Sequence, residues 1–377
     1  MEAAKICERF RHVVGAIVTL RDGLSIASLA RLLEVPFQSV ELCLRSLHSV
    51  LDVPSHPDQK IRLLHPSFHD FLVNRTRCYD LPFYVSERDV HAYLFSNCVL
   101  SMKTSLKRNM CGLTTPTSSP HEVNSGTMTK RFPSHAQYAC QYFLEHLFRW
   151  RPTALMMLDH MFGFMDFITR SLLFWIEAMS LMGKVTQAID NFKALRQLCQ
   201  DSFGQQTTLL MIVQDAERFI LANRRIIEDF PLQVYLSALM FSPIESKIRQ
   251  SYANLLPFWL TSFPTAVKRW GNCSQTLEIP DTSVTSISFS LDGRYLACGS
   301  SEGKIRLWNA TTGELRSDLE HPYPMTSIDS IAFSCSDLLA SASSHGVVVI
   351  WDPITGKVVQ SIDVEYIRTR ICYFNFR

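Results

Sequence analysis

Apolar residues recur through the first two thirds of the chain at spacings that suit helices. In FRHVVGAIVTL, Phe10, Val13, Val14, Ile17 and Leu20 fall on one face. LSIASLARLLEV follows with Ser25 placed to cap its first turn, and VPFQSVELCLRSLHSVL predicts a third helix after Pro36. Two short strand-like runs, LDV at 51–53 and IRLL at 61–64, flank the polar turn SHPDQK, and HPSFHDFLVN reads as another helix. Residues 86–111 predict one long helix stopped by Gly112. The Thr, Ser, Pro and Gly of 114–133 predict a flexible loop. From Gln137 to about Tyr252 helix follows helix with broad apolar faces and short connections. After Trp270 the period drops to two.

That last region contains its own copy. VTSISF, YLACGS and KIRLWNA are matched by IDSIAF, LLASAS and VVVIWDP; Phe289 and Phe333 lie 44 apart, Trp308 and Trp351 43 apart, Gly313 and Gly356 43 apart. The difference of one is a shortened first hairpin, where Asp292-Gly293-Arg294 becomes Ser336-Asp337. A period near 43 with strands closed by Trp-Asp or Trp-Asn is the mark of WD-repeat propeller blades. SQTLE, at 274–278, reads as a further strand before them, and ICYFNFR, at 371–377, as the opening of a third blade. Four segments are expected: a winged-helix domain at 1–78, a helical extension with a flexible Ser/Thr/Pro loop at 79–134, a helical domain at 135–270, and a partial propeller at 271–377. The fold class is therefore α+β and multidomain: a winged helix, an α-helical bundle or solenoid, then a partial antiparallel β-propeller.

Composition narrows the chemistry. Of 377 residues, 47% are hydrophobic and 19% charged, which is core-forming and not disordered. A net charge of +2 offers no concentrated positive field, and the third helix carries only Arg45 as a cation beside Glu41, so nucleic-acid reading is not expected. Eleven cysteines without a CxxC pair point to a reducing compartment. MEAAKICERFRHVV does not read as a signal peptide, and the most apolar stretch is broken by Asp159, Asp166, Arg170 and Glu177, so a cytoplasmic protein without a membrane span is expected. The P-loop, HExxH and EF-hand patterns are absent, the string GSSEG at 299–303 lies in a turn between two repeat strands, and an enzyme is not expected. His65 and His69 have the spacing of a helical metal pair, but no third ligand stands at motif spacing and Pro66 places His65 at a helix entrance. Neither a metal nor a cofactor is expected.

Several strings, among them VVGAIVTLRDGLSIASLARLL, IRLLHPSFHDFL, QYACQYFLEHL, WIEAMSLMGKV and DAERFILANRRIIEDFPLQVYLSALMFSP, occur in an order that resembles the fungal NACHT and WD-repeat proteins. These are STAND signalling ATPases of the heterokaryon, or vegetative, incompatibility type. The resemblance spans nearly residues 8 to 360 and implies that Met1 begins where the family's NACHT domain would be ending. It implies that His65 occupies the place of a histidine that contacts a bound diphosphate, a contact left vestigial by Pro66 in place of the motif's Asp. In the blades, the family's structural set leaves Ser300 with Trp308, and Ser343 with Trp351 and Asp352. The His position reads Pro280 and the Asp positions read Glu302 and His345. The function implied is a non-catalytic signalling or scaffold protein that binds other proteins through its blades. The alternatives are a WD-repeat adaptor for assembling a complex such as mitochondrial fission machinery, and a regulatory subunit in trans of a separate NACHT-containing ATPase.

Overall fold

The computed structural model describes residues 2–54, 56, 59–78, 82–152, 163–203, 207–256, 267–277, 279, 282–323 and 326–363. The chain divides into two compact units, Met1–Gly271 and Asn272–Arg377.

The first unit is helical. α1 (Glu2–Thr19), α2 (Ile26–Leu32) and α3 (Phe37–Leu44) are followed by a hairpin of β1 (Leu51–Asp52) and β2 (Arg62–Leu63), then by α4 (Ser67–Val73) and α5 (Arg75–Cys78). Val13, Val14 and Ile17 are buried, as their spacing requires, and the Ser25 hydroxyl caps α2 by accepting from the Ser28 amide at 3.3 Å. The hairpin pairs Leu51 with Leu63 and is tied to the start of α2 by the Ile61 amide, which donates to the Leu24 carbonyl at 2.9 Å. Gly23 allows this approach, because a Cβ there would sit 2.7 Å from the Ile61 carbonyl oxygen.

α6 (Glu87–Ser105) lies against α8 (Ser134–Trp150). Between them the stretch 114–133, expected as a flexible loop, is built. Ser119 and Glu122 close a capping box, Asn124 caps α7 (Ser125–Arg131), and Phe132 is buried. Short polar side chains that break a helix interior serve here as caps. Then come α9 (residues 163–170), α10 (Leu172–Leu181), α11 (Val185–Phe203), α12 (Thr208–Ala222), α13 (Arg224–Asp229), α14 (Ser237–Phe241) and α15 (Lys247–Ser251). An aromatic cluster fills the centre: Phe143 meets Phe167 edge-on at 5.4 Å and Trp175 at 5.8 Å, and the Trp175 indole donates to the Cys140 carbonyl at 2.9 Å. Among the described residues no helix is long and apolar enough to cross a membrane.

The second unit consists of two four-stranded antiparallel sheets. Blade 1 is β3 (Val284–Phe289), β4 (Tyr295–Ser300), β5 (Lys304–Asn309) and β6 (Leu315–Glu320); blade 2 is β7 (Ile328–Phe333), β8 (Leu339–Ser343), β9 (Val347–Asp352) and β10 (Lys357–Asp363). The fourth strand of each blade follows the Trp-bearing strand. The described part of the SQTLE segment, residues 274–277, is irregular and forms no strand, and the Gln275 side-chain amide donates to the Ala310 carbonyl at 2.9 Å. The run at 371–377 lies outside the described residues. Ala297, Ile305, Leu307 and Leu319 of blade 1 pack against Ile328, Ile331, Leu339, Val347, Val349 and Trp351 of blade 2.

Candidate functional site

His65 precedes α4 and is exposed. Its Nδ1 accepts from the Ser67 amide at 3.1 Å and lies 2.8 Å from the Ser67 hydroxyl, so one ring nitrogen is engaged in the local turn. His69 turns elsewhere, with Nδ1 3.2 Å from Asp70 and Nε2 3.3 Å from Glu87. Among the described residues no group of three His, Cys, Asp or Glu side chains gathers as a metal ion would require.

The blade residues hold turns and pin strands. The Ser300 hydroxyl accepts from the Lys304 amide at 3.0 Å, and at the same place in blade 2 the Ser343 hydroxyl donates to the Val347 carbonyl at 3.2 Å. Asp352 accepts from the Ile354 amide at 2.9 Å and from the Thr355 hydroxyl at 2.8 Å, which holds its carboxyl below the usual range. Asn309 closes the blade 1 turn in the same way, through the Thr311 and Thr312 amides. One pairing differs from expectation. The buried Trp351 indole donates to Ser341, not to Ser343, at 2.8 Å. Leu339 faces Trp351 and Ser341 faces Val349 in the register, so Ser341 is the diagonal neighbour of the indole. Forty-three residues earlier that position is Cys298, a weak acceptor, near the buried Trp308. Glu302 and His345 are exposed in their turns, and Pro280 lies outside the described residues.

The contact between blades uses residues that the sequence reading passed over. Ser286 accepts from the Ile331 amide at 3.0 Å, Ser288 accepts from the Phe333 amide at 3.4 Å, and Thr285 donates to the Ile328 carbonyl. Gly299 makes room, since a Cβ there would meet Ile328 Cγ2 at 2.5 Å. The signal was present in the alternation: Ser286 and Ser288 share one face of β3, and Ile287 and Phe289 share the other. That other face is open. Ile287 is 61% exposed and Phe289 59%, and Val284 and Leu291 extend the patch. Their repeat counterparts Ile331 and Ile328 are 5% and 0% exposed, because blade 1 covers them.

Two buried carboxylates in the helical unit also escaped the sequence reading. Glu177 accepts from the Asn109 and Met110 amides at 2.9 and 3.0 Å and from the Tyr235 hydroxyl at 2.6 Å, while burial raises its pKa. Asp215 accepts from Ser246, the Ile248 amide and the Trp270 indole at 2.8, 2.8 and 2.6 Å. Both have enough donors to stay in place as structural anchors.

A chain with such paired sheets carries a WD repeat: the family model described as "WD domain, G-beta repeat" matches residues 271–309. Over 333 residues, 83% of the chain, it is 28% identical to the vegetative incompatibility protein HET-E-1 of Podospora anserina. The match occupies 24% of that relative, so the chain spans about a quarter of its length. Among solved structures, a computationally designed protein, Ika4, is 25% identical, with 22% of this chain and 49% of that one covered and a TM-score of 0.20. BamB from Moraxella catarrhalis is 19% identical, with 24% and 27% covered and a TM-score of 0.22. Neither structural likeness is close enough to bear on the fold.

Proposed function

We propose that this chain is a non-catalytic interaction protein of the fungal NACHT and WD-repeat type, acting in the cytoplasm, and that it engages protein partners through blade 1. The carrying observation is the open face of β3. Ile287 and Val284 are exposed where the same positions one repeat later, Ile331 and Ile328, are covered by blade 1, and Phe289 is exposed beside them. An apolar patch of this kind, rimmed by polar residues, suits a protein surface. The similarity to a vegetative incompatibility protein supports a signalling context. The order of α1–α3, the β1/β2 hairpin and α4 supports reading residues 1–78 as a winged helix that acts as a regulatory element. A photo-crosslinking residue in place of Phe289 is expected to give intermolecular adducts, and Ile287→Asp is expected to remove them. Equal adduct yield from position 331, which blade 1 covers, would count against the reading.

A further inference from the structure

A chain of hydrogen bonds lies buried between α6, α8 and the loop after α1. His91 Nδ1 on α6 is 2.8 Å from His146 Nδ1 on α8. His146 Nε2 is 2.8 Å from the Tyr138 hydroxyl, which accepts from the Arg21 backbone amide at 3.2 Å. All three rings are buried, and His146 is wholly so.

The donors and acceptors allow one complete arrangement. Tyr138 accepts from Arg21 and must place its own proton on His146 Nε2. His146 then carries its proton on Nδ1 and donates to His91 Nδ1, which leaves the His91 proton on Nε2. A proton added to His91 sets two N–H groups against each other across 2.8 Å. A proton added to His146 Nε2 leaves the Tyr138 hydroxyl proton without its acceptor. The arrangement therefore requires both imidazoles to be neutral.

We propose that this relay is an acid-released latch: it holds the loop after α1 against α8 and α6 while both rings are neutral, and proton uptake parts the rings and frees the loop. The surroundings resist charging the rings. Burial holds both imidazoles below the ordinary histidine range, His146 down to about 3; Arg149 and Arg21 add to the effect on each, and Glu87 and Glu145 oppose it at His91. On the hydroxyl, burial, Cys98, Tyr142 and Glu145 raise the Tyr138 pKa, against the Arg21 amide that lowers it, and so keep it a donor. Arg21 and Arg149 both pair with Glu145 at the outer end. From α2, Arg31 acts on His135, and from α11, Gln187 bonds the Gln141 carbonyl. From α1, His12 stacks on Tyr93 at 4.5 Å, and from α10 Glu177 is held by Asn109, Met110 and Tyr235.

The sign follows from linkage. Rings whose pKa is lower in the folded state bind fewer protons than in the open state, so the latch is at full strength above about pH 6.5 and weakens as pH falls below it. The test is nitrogen NMR of histidine-labelled full chain, with hydrogen exchange of the Arg21 amide from pH 7.5 to 5. At pH 7.5 His146 is expected as the Nδ1–H tautomer and His91 as the Nε2–H tautomer. Below about pH 6.5 Arg21 protection, corrected for intrinsic exchange, is expected to fall about tenfold per pH unit for each proton taken up. His91→Gln, which cannot charge, is expected to flatten that fall. Tyr138→Phe, which keeps the ring, is expected to abolish Arg21 protection already at pH 7.5. An imidazolium at either position at pH 7.5, pH-independent protection of Arg21, or an unchanged slope in His91→Gln overturns the latch. Should His91→Gln not fold, the tautomers and the Tyr138→Phe exchange rate decide alone.

Discussion

Blade 1 and blade 2 carry similar apolar residues on the same face of their first strands, and the fold treats them in opposite ways. Ile331 lies beneath blade 1, whereas Ile287, one repeat earlier, faces outward. Blade 1 covers one face of blade 2, and among the described residues no sheet covers the corresponding face of blade 1. Identical residue types thus become core in one copy and surface in the other. Burial here is a property of the neighbour, as in other repeat architectures.

The sharpest way to break this comparison is to truncate both isoleucines. Ile331→Ala is expected to destabilise the blade pair by about 3 kcal/mol, in the range for buried Ile truncations, and Ile287→Ala to stay within about 0.5 kcal/mol. Denaturant unfolding of the two variants checks it, and equal losses would mean that the open face is covered. Next in size is the indole contact. Ser341→Ala leaves the buried Trp351 N–H without its acceptor and is expected to cost about 2 kcal/mol, while Cys298→Ser offers Trp308 a better acceptor and is expected to gain up to about 1 kcal/mol. Thermal melts of each read the difference.

Smaller effects sharpen the contrast. Ser286→Ala orphans the Ile331 amide and is expected to cost about 1 kcal/mol. Ser330 occupies the matching place in blade 2, where its backbone pairs with Ala342 but its hydroxyl makes no hydrogen bond among the described residues, so Ser330→Ala is expected to be neutral within about 0.5 kcal/mol. A denaturant series on the pair would refute the asymmetry if the two losses matched. The smallest effect is pH-dependent. Asp352 and Asn309 cap equivalent turns, but only Asp352 titrates, and its carboxyl is held below the ordinary range by Thr355 and nearby amides. A depressed carboxyl contributes stability above its unfolded value near 3.9 and loses it as pH falls through the folded value. Protection of the Thr355 amide, corrected for intrinsic exchange, is therefore expected to fall as pH drops below about 4, while that of Thr312 stays constant, and Asp352→Asn is expected to abolish the difference.

Much of the blade geometry was legible in the residues. The 43-residue period located the strands, and Gly303, Gly346, Gly313 and Gly356 all adopt the left-handed backbone that such turns require. In the shortened hairpin Asp337 takes the positive φ that Gly293 takes in blade 1. The choice between Ser341 and Ser343 was not legible, because both lie on the same side of β8 and only the pairing with β9 brings one of them to the indole. The buried polar groups were hidden for a related reason. His91 and His146 stand 55 residues apart and Glu177 and Tyr235 58 apart, and neither pair has a local signature.

The sequence by itself determined the local structure: helix faces, caps, turn glycines and the repeated strand pattern, all of which depend on residues within a few positions of one another. Only the tertiary structure decided which apolar face is core and which is surface, which serine serves Trp351, and how His91, His146 and Tyr138 share their protons. Those outcomes depend on groups far apart in the chain, and removal from water or the supply of a hydrogen-bond partner comes from whatever packs alongside.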